Sequence, residues 1–279
     1  MERVKIIAEC GINHNGSLDM AKQLIESAKM AGADLVKFQK RTLEKVYTAE
    51  ELDKPRESPW GSTNRQQKMG LEFGTIEFDE IDRYCKELGI EWFASPWDLQ
   101  SLRFLDKYNL KYNKVASALL GHTELLEAIA SQKKYTFVST GLHNLDEIQV
   151  AFNIFSDAGC PFELMHCNGQ YPQPDNEINL KCIETLHKRF GCPVGFSSHT
   201  TGIMAPVLAV IMGATSVEAH ITLDRAMYGS DQAASLEPHG FSKMVEYIRY
   251  AEKALGNGEK IIYPGELPIR KKLARNKDY

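Results

Sequence analysis

A chain of 279 residues, 43% hydrophobic and 25% charged, has the composition of an ordinary globular protein and the length of one barrel-sized domain. Its net charge of −4 and pI near 6.1 leave no electrostatic footprint for nucleic acid. No apolar stretch reaches the roughly 18 residues a membrane span needs, and the start Met1-Glu2-Arg3-Val4-Lys5 runs straight into a strand with no signal peptide in view.

Short apolar runs bounded by polar residues recur at 6–9, 35–39, 91–95, 112–117, 136–140, 163–167, 193–198 and 216–221. Such runs suit fully buried parallel strands. Helical periodicity lies between them. Leu18, Ala21, Leu24, Ile25 and Ala28 form one stripe, closed by Gly32 as a C-cap. Leu145, Ile148, Phe152 and Phe155 form a second, and Phe241, Met244, Val245, Ile248, Ala251 and Leu255 a third. Further helices are predicted near 77–88, 99–109, 123–132, 177–188 and 201–212. Eight strand–helix repeats predict an α/β fold closed as a (β/α)8 TIM barrel, a single domain over 1–279. Residues 41–74 are the one long connection, read as a loop after the second strand. Its Arg65 and Lys68 either fold over an anionic ligand or face solvent. Residues 264–279 form a basic, polar tail whose end, from 270, reads as a terminal helix. The six cysteines show no C-x-x-C spacing, so they are taken as reduced thiols in a cytoplasmic protein. Cys10 and Cys167 fall near strand ends, where the favoured role is that of small buried residues.

In such barrels the chemistry gathers at the strand C-termini. Glu9 ends an apolar strand, where a carboxylate needs a partner or a shifted pKa; this makes it a candidate acid–base group or the partner of a barrel lysine. Lys37 and Lys114 lie within strands, pointing to a carboxylate or phosphate ligand or to a Schiff-base nucleophile. Hydroxyls close several strands at Ser95, Ser117, Ser139, Ser197 and Ser198, where turns offer phosphate oxygens free N–H groups. His199 and His220, one βα unit apart, come side by side as a candidate pair for a divalent metal or as hydrogen-bonded histidines. Asp224 and Asp231 follow the last strand as acid–base or substrate contacts.

Taken together, Ala8-Glu9-Cys10-Gly11-Ile12-Asn13-His14-Asn15-Gly16, Val36-Lys37-Phe38-Gln39, Lys114-Val115-Ala116-Ser117, Ser139-Thr140-Gly141, His166-Cys167 with Tyr171-Pro172, Gly195-Phe196-Ser197-Ser198-His199-Thr200 and Glu218-Ala219-His220-Ile221-Thr222-Leu223-Asp224-Arg225 resemble the sialic acid synthase family over nearly the whole chain. The resemblance implies condensation of phosphoenolpyruvate with an N-acylated amino sugar, giving a sialic-acid-like 2-keto-3-deoxy nonulosonate and phosphate. It implies a cation, Mn2+ or Mg2+, on His199 and His220. Lys37, Ser95, Lys114, Ser117, Ser139 and Ser197 would cradle phosphoenolpyruvate, and Glu9 would be the acid–base residue. Gln39, Tyr171 and Asp231 would meet the sugar or the attacking water, with Asp231 counted among the catalytic groups. The resemblance also implies a homodimer.

The chain departs from the family pattern in three ways. Leu119 stands where an acidic sugar contact is usual, and Gly169 where serine or asparagine is usual. Members usually continue into an antifreeze-like C-terminal domain that supplies an arginine to the N-acyl group, whereas this sequence stops at Tyr279. Two other functions are weighed against synthesis: a Schiff-base pyruvate aldolase using Lys37 or Lys114, and a non-catalytic sugar-binding barrel.

Overall fold

The computed structural model describes residues 3–275. Ten strands occur in chain order: β1 Lys5–Gly11, β2 Leu35–Lys40, β3 Pro55–Ser58, β4 Gly61–Thr63, β5 Glu91–Pro96, β6 Tyr112–Val115, β7 Tyr135–Ser139, β8 Phe162–His166, β9 Val194–Ser198 and β10 Ser216–His220. Eight of them make one parallel sheet in the order β5-β2-β1-β10-β9-β8-β7-β6. The sheet curls until its edges meet, where Phe93 of β5 packs against Tyr112 of β6 at 6.0 Å between ring centroids. The result is a nearly closed (β/α)8 barrel, and all eight expected apolar runs lie in its wall.

The helices are α1 Leu18–Ala31, α2 Leu43–Val46, α3 Ala49–Asp53, α4 Asn64–Leu71, α5 Thr75–Leu88, α6 Leu99–Leu105, α7 Thr123–Ser131, α8 Leu145–Asp157, α9 Lys181–Phe190, α10 Met204–Ile211, α11 Pro238–Leu255 and α12 Leu267–Leu273. Their apolar stripes are what bind them to the sheet. Leu24, Ile25 and Ala28 of α1 join Phe78 and Ile81 of α5 and Phe241, Met244 and Ile248 of α11 over β1, β2 and β5. Leu125 and Ile129 of α7, Ile148 and Phe155 of α8 and Ile183 and Leu186 of α9 cover β6 to β9 in a second cluster. Gly32 ends α1 in the left-handed conformation that its role as C-cap requires. Two expected stripe residues, Leu145 and Leu255, are exposed, because each sits at a helix end beyond the sheet.

Four expectations change. The helix predicted over 177–188 begins at Lys181, after a 3-10 turn at Asp175–Glu177. The 112–117 run stops being strand at Val115, and Ser117 opens a 3-10 turn. Residues 41–74 are not a bare loop: they fold into α2, α3, the antiparallel β3–β4 hairpin and α4. In the tail, the helix is α12, earlier than expected, and residues 276–279 lie outside the described residues.

Candidate functional site

Side chains in a strand alternate between faces, so residues two apart share one. Lys37 with Gln39 on β2, and Glu218 with His220 on β10, obey this spacing, and His199 follows Ser197 two residues on, just beyond β9. They converge in a cavity of about 210 Å3 at the C-terminal mouth of the barrel. Its wall holds Glu9, Lys37, Gln39, Ser95, Lys114, Ser117, Ser139, Tyr171, Ser197, His199 and His220. Eleven of the twelve residues that the family resemblance assigns to the site therefore meet in one place. Asp231 lines an adjoining cavity of about 250 Å3, which shares Gln39, Trp97 and Tyr171 with the first. Two larger grooves, about 830 and 730 Å3, run along the outer faces of α10 and α11 and of α9 and α10. Neither gathers catalytic side chains, so volume alone is a poor guide here.

The floor of the first cavity is a buried ionic network. Lys37 Nζ lies 3.2 Å from Glu9 Oε2 and 3.1 Å from Glu218 Oε1, and Lys114 Nζ lies 3.0 Å from Glu218 Oε2. Ser197 donates to Glu218 Oε1 at 3.1 Å, and Gln39 Nε2 donates to Glu9 Oε1 at 2.8 Å. Two carboxylates thus balance two ammonium groups out of water, where unpaired charge is costly. Burial opposes the charge on Glu218, but Lys114 and Lys37 outweigh it and hold its carboxyl well below the usual range. Burial instead wins at Glu9 and raises its pKa, Lys37 opposing. Lys114 is pushed down by burial, whereas Lys37, against the same burial, is raised by Glu218 and Glu9. The two carboxyls are thus shifted in opposite directions, a separation typical of acid–base sites.

Above this floor, Tyr171 stacks on His199 with centroids 3.9 Å apart and meets His220 edge-on at 5.4 Å. The two imidazole centroids are 5.5 Å apart. His199 Nδ1 bonds the carbonyl of Asn168; a carbonyl only accepts, so Nδ1 carries the hydrogen and Nε2 the lone pair. Burial lowers the His199 pKa to about 3, with His220 adding to the effect, so the ring is neutral. His220 Nδ1 is buried without a hydrogen-bond partner, and Asp231 Oδ2 stands 3.7 Å away. A neutral His199 ring fixed by a backbone carbonyl, beside a His220 ring with an orphaned nitrogen, fits the requirements of metal ligands. Among the described residues no three His, Cys, Asp or Glu side chains converge as a complete cage. A cation on this pair would complete its shell with water or substrate oxygens.

The remaining expectations divide. Ser95, Ser139 and Ser197 are buried in the wall; Ser95 accepts from Lys37 at 3.4 Å, and Ser117 lies 3.1 Å from Cys167 Sγ. Asp224 is exposed and caps its own turn, accepting from the Ala226 N–H, so it does not reach the site. Arg65 pairs with Glu44 and Asp53 inside the 41–74 segment, whereas Lys68 does face the second cavity. Cys10 is fully buried, and burial drives its thiol pKa well up, which suits packing rather than attack. Leu119 is buried in the outer apolar cluster while its neighbours Ala118 and Ser117 line the cavity, so the departure lies outside the wall. Gly169 is in the wall; an added Cβ there would come within 2.3 Å of Leu142 Cδ2. Sequence reasoning assigned no part to Glu218, Trp97 or Arg41. For Glu218 the signal was present, a charged residue two positions before His220 in an apolar strand.

The model of the NeuB family matches residues 24–260. Human N-acetylneuraminate-9-phosphate synthase is 37% identical over 274 residues, covering 97% of this chain and 76% of the relative. N,N'-diacetyllegionaminic acid synthase of Legionella pneumophila is 38% identical over 282 residues, with 97% and 78% covered. Among solved structures, the N-acetylneuraminic acid synthetase of Leptospira borgpetersenii superposes with a TM-score of 0.84 at 33% identity, covering 99% of this chain and 94% of that one.

Proposed function

We propose, from the premise that this chain belongs to the NeuB family, that it joins phosphoenolpyruvate to the aldehyde of an N-acylated amino sugar. The enzyme is a carbon–carbon bond-forming transferase, and its product is a 2-keto-3-deoxy sugar acid of the sialic acid type. The observation that carries this reading is the convergence of Glu9, Lys37, Lys114, Glu218, four serines and two histidines in one cavity at the barrel mouth.

Lys37 and Lys114, with Ser95, Ser117, Ser139 and Ser197, receive the carboxylate and phosphate of phosphoenolpyruvate, fixing its C3 toward the histidine pair. The chemistry that Mn2+ or Mg2+ would supply when held by His199 and His220 is polarisation of the aldehyde oxygen. C3 of phosphoenolpyruvate bonds to the aldehyde carbon, whose oxygen takes up a proton. Water then adds at C2 and gives up its proton, and the C2–O bond to phosphate breaks to leave the 2-keto acid and inorganic phosphate. Glu9 is placed to hold and return the proton: it is buried, its pKa is raised by that burial, and Gln39 and Lys37 orient both oxygens. Tyr171 and Asp231 border the side from which sugar enters.

The proposal is tested by phosphate release from phosphoenolpyruvate across a panel of N-acylated hexosamines, with manganese and with a chelator. Release that needs both a sugar and the cation is expected, and Glu9→Gln should lower kcat about 100-fold or more while the thermal midpoint stays within a few degrees. Release without any sugar would contradict it. The aldolase alternative makes the opposite forecast, a borohydride-trapped pyruvate adduct on Lys37 or Lys114 with no cation. Both amines are ion-paired to Glu218, which disfavours a free nucleophile.

A further inference from the structure

The second cavity differs in character from the first. Its walls bring together Arg41, Arg56 and Lys68, all three supplied by the 41–74 segment beyond β2. Two carboxylates also face it, and both are engaged. Glu72 is held by Arg41 at 3.3 Å and by Lys40 at 3.5 Å; Asp231 accepts from Ser230 at 2.7 Å and stands 3.7 Å from His220. Lys68 has its ammonium 4.1 Å over the Tyr47 ring. Arg41 spreads over Trp97 at 4.2 Å. The Nε of Arg41 and the indole N–H of Trp97 are both buried without an acceptor. Buried donors left unsatisfied are rare in folded proteins, and a wall with two of them beside two further cations is built for an incoming anion.

The anion has a natural direction of approach. Gln39, Trp97 and Tyr171 border both cavities, so a molecule whose aldehyde lies at His199 and His220 extends past these three side chains toward Arg41, Arg56 and Lys68. We propose that this second cavity binds a phosphate monoester carried at the far end of the amino sugar, so that the preferred acceptor is a phosphorylated N-acylhexosamine. The inference rests on the condensation reading for which end of the sugar enters first. The anion site itself does not depend on turnover. Arginine supplies paired donors matched to phosphate oxygens, and lysine a mobile point charge.

The test compares N-acetylmannosamine 6-phosphate with N-acetylmannosamine on the full chain, by calorimetric binding and by kcat/KM in phosphate release. The phosphorylated sugar should bind about tenfold or more tightly, a preference that weakens with added salt. Arg56→Ala and Lys68→Met, both at sites away from the barrel core, should each reduce that preference about fivefold or more. Tight binding of the phosphorylated sugar without condensation upholds the anion site and removes the condensation reading. Equal binding of the two sugars, preference for the unphosphorylated one, binding of neither, or a preference untouched by both substitutions overturns the anion site. Of these, preference for the unphosphorylated sugar with turnover leaves condensation standing.

Discussion

Among the described residues, Glu218 is the sole carboxylate ion-paired with Lys114 and one of two ion-paired with Lys37. Glu218→Ala should therefore strand buried positive charge and cost about 3–5 kcal/mol in urea denaturation; an unchanged midpoint would mean that the lysines are not held by this pair. His14 offers a separate handle. It is buried against Phe73 at 3.9 Å, accepts from the Gly16 N–H at 3.1 Å, and burial lowers its pKa from 6.5 to about 3. A histidine with a depressed folded pKa stabilises fully above its unfolded value and loses that contribution as pH falls toward the folded one. Stability should then decline between pH 6.5 and about 3, by up to about 1.4 kcal/mol per pH unit for this residue. His14→Gln should flatten that slope; an identical slope would assign the acid sensitivity elsewhere. Charged residues inside apolar strands were the legible part of the site, because Glu9, Lys37 and Lys114 break a pattern. Which carboxylate answers which lysine was not legible, since pairing across β1, β2, β6 and β10 depends on barrel closure.

The strands and most helices could be read from the sequence because each is amphipathic or uniformly apolar against one sheet. The 41–74 segment could not, since it packs on the barrel rim through contacts of low hydrophobic periodicity. Gly16, at φ +69°, lies so close that an added Cβ would sit 2.0 Å from the Gly70 carbonyl oxygen. A Cβ on Gly70 would sit 2.1 Å from Cγ of Trp60, whose ring meets Tyr228 edge-on at 5.7 Å. Gly70→Ala should thus dislodge the segment while leaving the barrel intact. The expected signs are faster proteolysis within 41–74 and a sugar KM raised about tenfold, with far-UV circular dichroism unchanged. Unaltered proteolysis and KM would show that the close approach does not seat this element.

At the scale of the molecule, the first strand region locks onto the last strand and α11. β1 pairs with β10, the Val4 N–H donates to Glu252 of α11 at 2.6 Å, and Arg249 of α11 bridges to Asp34 at 2.8 Å. The site draws on β1, β2, β5, β6, β7, β9 and β10 and the turns after β6, β8 and β9, so it exists only when the barrel is closed. Function therefore follows from the closed barrel as a whole, whose converging side chains are proposed to form a carbon–carbon bond. That claim is tested most directly by carbon-13 NMR of the products from phosphoenolpyruvate labelled at C3, mixed with manganese and an N-acylhexosamine, or its 6-phosphate, labelled at C1. The expected product carries a labelled methylene coupled to the former aldehyde carbon of the sugar, with one phosphate released per bond formed. Label recovered only in pyruvate, with no carbon–carbon coupling to sugar, would contradict it.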